Sequence, residues 1–118
     1  MAARGPLSPA ARALRVAHTA VTAMFLLAIG YIWWCALSGR RGRLLRVAVV
    51  SLTGEAVLVA ANDGDCPLGG LQQRVDDPVP LFELVLSPAA ARRAVPALGG
   101  VAGTGMAVLA WRSARLRR

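Results

Sequence analysis

Few side chains in this chain of 118 residues are suited to chemistry. His18 is its one histidine, and its two cysteines are Cys35 and Cys66. Glu55 lies within an apolar run, whereas five of the six acidic residues lie in the stretch NDGDCPLGGLQQRVDDPVPLFE, residues 62–83. The chain as a whole has a net charge of +8, so this concentration of acid around one cysteine needs an explanation.

His18 and Glu55 are the only ionisable residues well inside apolar runs. A charge in hydrocarbon is costly, so each of them needs a partner and marks a candidate site. Two interpretations are open: a hydrogen-bonded clasp that fixes the register of two helices, or a site that handles protons or binds a ligand. Thr19, Thr22 and Thr53 could complete a polar cluster around the pair.

Cys66 lies between Asp63 and the later acidic residues and forms a second candidate site with Asp63 and Asp65. Its thiol could be free, bridged to another chain or used in chemistry. The pairs Asp63/Asp65 and Asp76/Asp77 lack the ordered ligand spacing of a calcium loop, which favours a solvated acidic loop.

Metal and catalytic templates fit poorly. A closed zinc site needs four ligands, and the chain offers one histidine and two separated cysteines. A haem held by two histidines would require a dimer. The glycines of PLGG, residues 67–70, are better explained as turn residues than as a phosphate cradle, because no lysine or helix start follows them. We expect no metal and no cofactor, and the lack of a complete catalytic set favours a role without enzyme activity.

The elements that position these residues are predicted to be membrane helices. Hydrophobic residues make up 56% of the chain, and residues 16–39 carry no charged side chain, which is long enough to cross a bilayer core of about 30 Å. A soluble helical protein with an apolar core is the alternative. We expect an all-α membrane protein of one domain, residues 1–118, with spans at about 14–37, 44–61 and 94–111.

The connections between the spans differ in character. SGRRGR is predicted to form a tight basic turn, so that the first two spans make an antiparallel hairpin. The long outer loop, 62–93, contains PVPLFELVLSP, which is too short to span and is predicted to lie in the outer interface or in a shallow re-entrant position. This placement would fold the acidic loop back as a lid over His18 and Glu55. Ser87 and Pro88 are typical of a helix start.

The hairpin would bring the polar pair together. His18 lies about four residues below the outer edge of the first span, and Glu55 about six below that of the second, which places both at a depth of roughly 6 to 9 Å. In the third span, Gly99, Gly103 and Ala107 recur at four-residue spacing, which would let a neighbouring helix approach closely, although an Ala- and Gly-rich composition also produces such spacing by chance.

The arginines lie at the edges of the apolar runs, which is typical of anchoring at a membrane surface and argues against nucleic-acid binding. Four lie between the first two spans and four follow the third, against three before the first span and three in the long loop. This bias predicts a cell-membrane protein with its N-terminus outside and its C-terminus in the cytoplasm. Cys35 and Cys66 would then lie on opposite faces, too far apart for a disulfide.

The arrangement of His18, Glu55 and Cys66-Pro67-Leu68 resembles a family of small bacterial polytopic membrane proteins of unknown function. Those proteins carry a histidine in the first helix, an acidic residue in the second and a Cys-Pro-Leu motif at the end of the second helix. The resemblance implies a helical membrane fold and no known activity.

Two functions follow as expectations. The first is an accessory or scaffold subunit that acts through helix packing. The second is a small transport or redox component that uses His18, Glu55 and Cys66. The expected partners are the lipid bilayer and a larger membrane complex or further copies of the chain, with no nucleic acid.

Overall fold

The structure, a computed structural model, describes residues 6–63 and 81–116, with residues 71 and 74 between them. Three long helices make up the described part: α1, Pro9–Ser38, α2, Arg43–Ala61, and α3, Pro88–Leu116. A short 3-10 helix, Leu81–Leu84, precedes α3. The prediction of an all-α protein is confirmed.

Each of the three helices is long and apolar enough to cross a membrane. They enclose the expected spans 14–37, 44–61 and 94–111 and extend beyond them, most of all in α1 and α3, which have 30 and 29 residues. The fold is therefore that of a small multi-pass membrane protein.

Local signals set the helix ends. The Ser8 hydroxyl accepts a hydrogen bond from the Ala11 amide at 3.1 Å and caps α1. At the other end of α1, Gly39 takes a left-handed conformation with φ 80° and donates its amide to the Cys35 carbonyl at 3.0 Å. The Ser87 hydroxyl accepts from the Ala90 amide at 3.3 Å, as the sequence predicts for the start of α3.

Helix α1 is the central element of the bundle. It packs against both α2 and α3, whereas α2 and α3 make little contact with each other. The core therefore lies along α1 and comprises the buried residues Ile29, Ile32, Cys35, Leu45, Ala48, Leu52 and Ala102. All of them lie in the half of the bundle near the basic turn or at its middle.

Trp33 joins α1 to α3. Its indole Nε1 donates to the Val101 carbonyl at 2.9 Å, and its ring lies so close to Gly105 that an added Cβ there would be 2.8 Å from Nε1. Trp33 is half-buried against α3, while Trp34 is exposed. The indole N–H of Trp33 thus finds its acceptor inside the bundle, as a half-buried tryptophan requires.

The basic turn and the end of α3 lie together. Arg112 on α3 donates to the carbonyls of Ala36 and, at 2.7 Å, of Leu37, and Arg41 donates to the Cys35 carbonyl at 3.0 Å. These carbonyls are the terminal acceptors of α1, where positive charge is favourable. We call this end of the bundle the arginine end.

Candidate functional site

A cavity of about 620 Å³ lies between the splayed helices α2 and α3, with α1 as its back wall. That volume falls within the range of small-molecule sites, roughly 300 to 1,000 Å³. Most of its wall is apolar, with contributions from Phe25, Leu26, Ile29, Leu52, Ala56, Val59, Val95, Leu98, Ala102 and Met106.

Toward the arginine end, the cavity wall meets the buried core. Ile29, Leu52 and Ala102 line the cavity and also belong to that core. Leu45 and Ala48, further toward the start of α2, belong to the core and not to the wall. The cavity therefore extends from the middle of the bundle toward the start of α3.

The polar part of the wall consists of His18, Thr22, Thr53 and Glu55. His18 is only 6% exposed and Glu55 is half-buried, and neither is without an interaction partner. The structure therefore brings the predicted pair to the wall of one cavity, and direct contact between the two side chains stays a prediction.

The threonines divide between the wall and the outer surface. Thr53 lies on the wall, and its hydroxyl donates to the Val49 carbonyl at 2.8 Å. Thr19 is not part of the wall, and its hydroxyl donates to the Arg15 carbonyl at 2.7 Å. Both bonds satisfy the hydroxyl within its own helix, which is the usual solution for threonine in a membrane helix.

The segment before α3 contributes to one side of the cavity. Phe82, in the 3-10 helix, is half-buried and lines the wall with His18 and Glu55. The 3-10 helix contacts both α1 and α3. The lid is predicted for the acidic loop, most of which lies outside the described residues, so the lid stays a prediction.

Gly99 and Gly103 line the cavity and Ala107 is exposed outside it. A Cβ added at Gly99 or Gly103 would meet nothing within 4 Å. Close packing within the chain therefore does not use this face, and the close approach of α1 to α3 occurs at Gly105 instead.

The candidate loop site falls mostly outside the described residues, which exclude Cys66 and Asp65. Asp63 is described; it is exposed and follows the end of α2 with φ 56°. Cys35 is a free, fully buried thiol, in keeping with its interpretation as a small apolar residue. Among the residues that the structure describes, no group of three histidine, cysteine or acidic side chains could hold a metal ion.

Sequence reasoning identified His18, Thr22, Thr53 and Glu55, which line the cavity, but missed the apolar walls. Val59, Val95 and Met106 belong to helices that are apolar on every side, so no pattern distinguishes a cavity wall from a lipid-facing surface. Only the separation of α2 from α3 identifies them.

Comparison of the chain with known protein families, curated proteins and solved structures gives no match. Its function has to be argued from the fold and the cavity. The resemblance carried by His18, Glu55 and Cys66-Pro67-Leu68 stays a hypothesis.

Proposed function

We propose that this chain is an accessory or scaffold subunit of a larger membrane assembly and that α3 is the helix through which it binds its partner. The observation that carries this proposal is the exposed surface of α3. It has the lowest mean hydropathy of the three spans, 1.5 against 1.9 for each of the others, and only 11% of its apolar window is buried. The least apolar of the three helices thus has most of its surface uncovered within the chain.

The surface of α3 suits another helix. Gly100 is exposed, and a Cβ there would meet nothing within 4 Å. With Thr104 and Ala107, which are also exposed and do not line the cavity, it forms a surface of small side chains, which we call the α3 small face. Small residues in membrane proteins are enriched where helices approach each other closely, because van der Waals packing drives helix association in lipid.

The test compares small residues on different helices. Gly100→Leu and Ala107→Leu would each place a bulky side chain on the α3 small face. Gly30→Leu and Gly54→Leu would place the same side chain on α1 and α2, where an added Cβ also meets open space. The tagged full-length chain is purified from its native membranes in mild detergent, and the mass and stoichiometry of the complex are measured by native mass spectrometry.

We expect the wild-type chain to form a complex of fixed stoichiometry with a second membrane protein. The two α3 variants should lose this complex, and the Gly30 and Gly54 variants should retain it. A complex made only of copies of this chain would indicate self-assembly and contradict the accessory role. A monomer in native membranes would contradict the proposal.

The proposed orientation places the arginine end in the cytoplasm. Eight arginines flank the spans at this end, against six in the N-terminal segment and the long loop. The bonds from Arg112 to Leu37 and from Arg41 to Ser113 join the two basic segments on one side of the bundle, so both contribute to the same side in the positive-inside rule.

A second candidate function, a small transport component, is favoured by the placement of His18 and Glu55 on one cavity wall. Two ionisable groups in a partly enclosed apolar site are a typical arrangement for proton handling. Glu55→Gln tests it: a transport component would keep its fold and lose proton-coupled flux in reconstituted vesicles, whereas a clasp would keep both fold and assembly.

A further inference from the structure

Three layers of different chemistry follow one another along the cavity. Toward the middle of the bundle the wall is apolar, with Ile29, Leu52 and Met106. Thr22 and Glu55 come next, and His18 lies at the end of the wall on α1. From His18 to Ile29 the wall follows α1 for eleven residues, or about 16 Å of helix.

The third layer is basic and lies one helical turn beyond the wall. Arg92 precedes Val95 by three residues and Gly99 by seven, which places it on the cavity side of α3. Arg15 precedes His18 by three residues on α1 and is half-buried. Each guanidinium has five N–H donors, so it can bind a phosphate while keeping another partner.

Apolar chain, hydrogen-bonding middle and anionic end follow each other in the same order along a glycerophospholipid. We propose that the cavity binds one acyl chain of an anionic glycerophospholipid, with the glycerol ester region beside His18 and Glu55 and the phosphate beside Arg92 and Arg15. This site is separate from the α3 small face and does not depend on the proposed accessory role.

The size of the cavity favours a lipid chain over a partner helix. A helix with side chains is about 10–12 Å across, so about 16 Å of it occupies roughly 1,250 to 1,800 Å³. That is at least twice the cavity volume of about 620 Å³. A single flexible chain is thinner, and the gap between α2 and α3 lets the second chain of the lipid stay in the bilayer.

Lipid binding to the purified, delipidated full-length chain tests the proposal. Phosphatidylglycerol and phosphatidylcholine with identical acyl chains are titrated separately, and bound lipid is counted by native mass spectrometry. Gly99→Phe is expected to fill the cavity, since a Cβ there meets open space. Gly54→Phe is its control, because Gly54 also faces open space but is not part of the wall.

We expect the wild-type chain and Gly54→Phe to retain one phosphatidylglycerol in preference to phosphatidylcholine, and Gly99→Phe to lose this binding. Ala56→Phe, on the opposite wall, is expected to lose phosphatidylglycerol binding as well. It replaces Gly99→Phe in the test if circular dichroism shows that Gly99→Phe does not fold.

The arginine layer has its own control. Arg92→Gln is expected to lower the preference for phosphatidylglycerol about fivefold, the factor for about 1 kcal/mol per arginine near an anionic surface. Arg93→Gln is expected to change it much less. The residues three, four and seven positions after Arg92 all line the cavity, whereas after Arg93 only Pro96 does. Equal binding of the two lipids by the wild-type chain, or full binding by both phenylalanine variants, would overturn the proposal. The proposal would also be overturned if a cavity variant lost a partner subunit and the wild-type chain bound no lipid.

Discussion

At the scale of single residues, the contact between α1 and α3 depends on the lack of a side chain at Gly105. Gly105 is buried, and its missing Cβ leaves room for the Trp33 indole, which lies 2.8 to 3.1 Å from where that atom would be. The same opening exposes the Val101 carbonyl to the indole N–H at 2.9 Å. A glycine here therefore serves both packing and hydrogen bonding.

Gly105→Ala is expected to destabilise the bundle by about 1–3 kcal/mol, the usual cost of overpacking, because the rigid indole has to move and its bond to Val101 weakens. Gly100→Ala is the control, since its Cβ meets open space, and we expect it to be neutral or stabilising. Unfolding in detergent, followed by tryptophan fluorescence, measures both. Equal stability of the two variants would show that the indole adjusts without loss.

Glu55 and His18 provide a second prediction at this scale. If the two side chains interact directly or through a threonine or water, Glu55→Ala should destabilise the bundle by about 0.6–2 kcal/mol, as polar contacts between membrane helices do. Glu55→Gln keeps hydrogen bonding and should retain most of that stability. The double variant with His18→Ala checks the interaction: additive effects of the two changes would mean that the residues share a cavity without interacting.

At the scale of the elements, the end of α1 is held by arginines from two other segments. Helix C-terminal carbonyls lack partners within the helix, and here Arg41 from the turn and Arg112 from α3 supply them. The bond from Arg112 to Leu37 also connects α1 to α3 at 2.7 Å. The arginine end is thus a structural part of the bundle as well as a topological signal.

Arg112→Gln is expected to destabilise the α1–α3 contact by about 1–2 kcal/mol, because a charge-assisted bond to the helix end is lost from a half-buried site. Arg115→Gln is the matched control: Arg115 is exposed and lies over the Trp111 ring at 4.3 Å, and we expect a smaller change. Thermal unfolding in the same detergent compares them. A loss as large for Arg115→Gln would indicate a general charge effect.

At the scale of the whole molecule, the bundle is asymmetric. Because α1 contacts both other helices while α2 and α3 hardly touch, the described part of the chain has a packed half at the arginine end and an open half above it. The candidate lipid site occupies the open half, and the α3 small face lies outside it. The two proposed activities can therefore be separated by substitutions on one helix.

The topology of the whole chain is testable by labelling with a membrane-impermeant thiol reagent. Cys35 is 0% exposed, so it cannot report on either side. We expect Cys66 to be labelled in intact cells in a Cys35→Ala background. Arg40 is exposed, so Arg40→Cys in a Cys66→Ser background should be labelled only after the membrane is permeabilised. The opposite pattern would invert the orientation.

The sequence by itself determined the three apolar helices, the start of α3 and the basic turn, because hydropathy and Ser87-Pro88 act over a few neighbouring residues. It also identified His18 and Glu55, since ionisable residues are conspicuous in apolar runs. Only the tertiary structure decided that α1 is central, that Gly105 is the packing glycine and that α2 and α3 separate to form a cavity. Helices that are apolar all round carry no pattern showing which face meets protein and which meets lipid, so that choice depends on contacts between residues far apart in the chain.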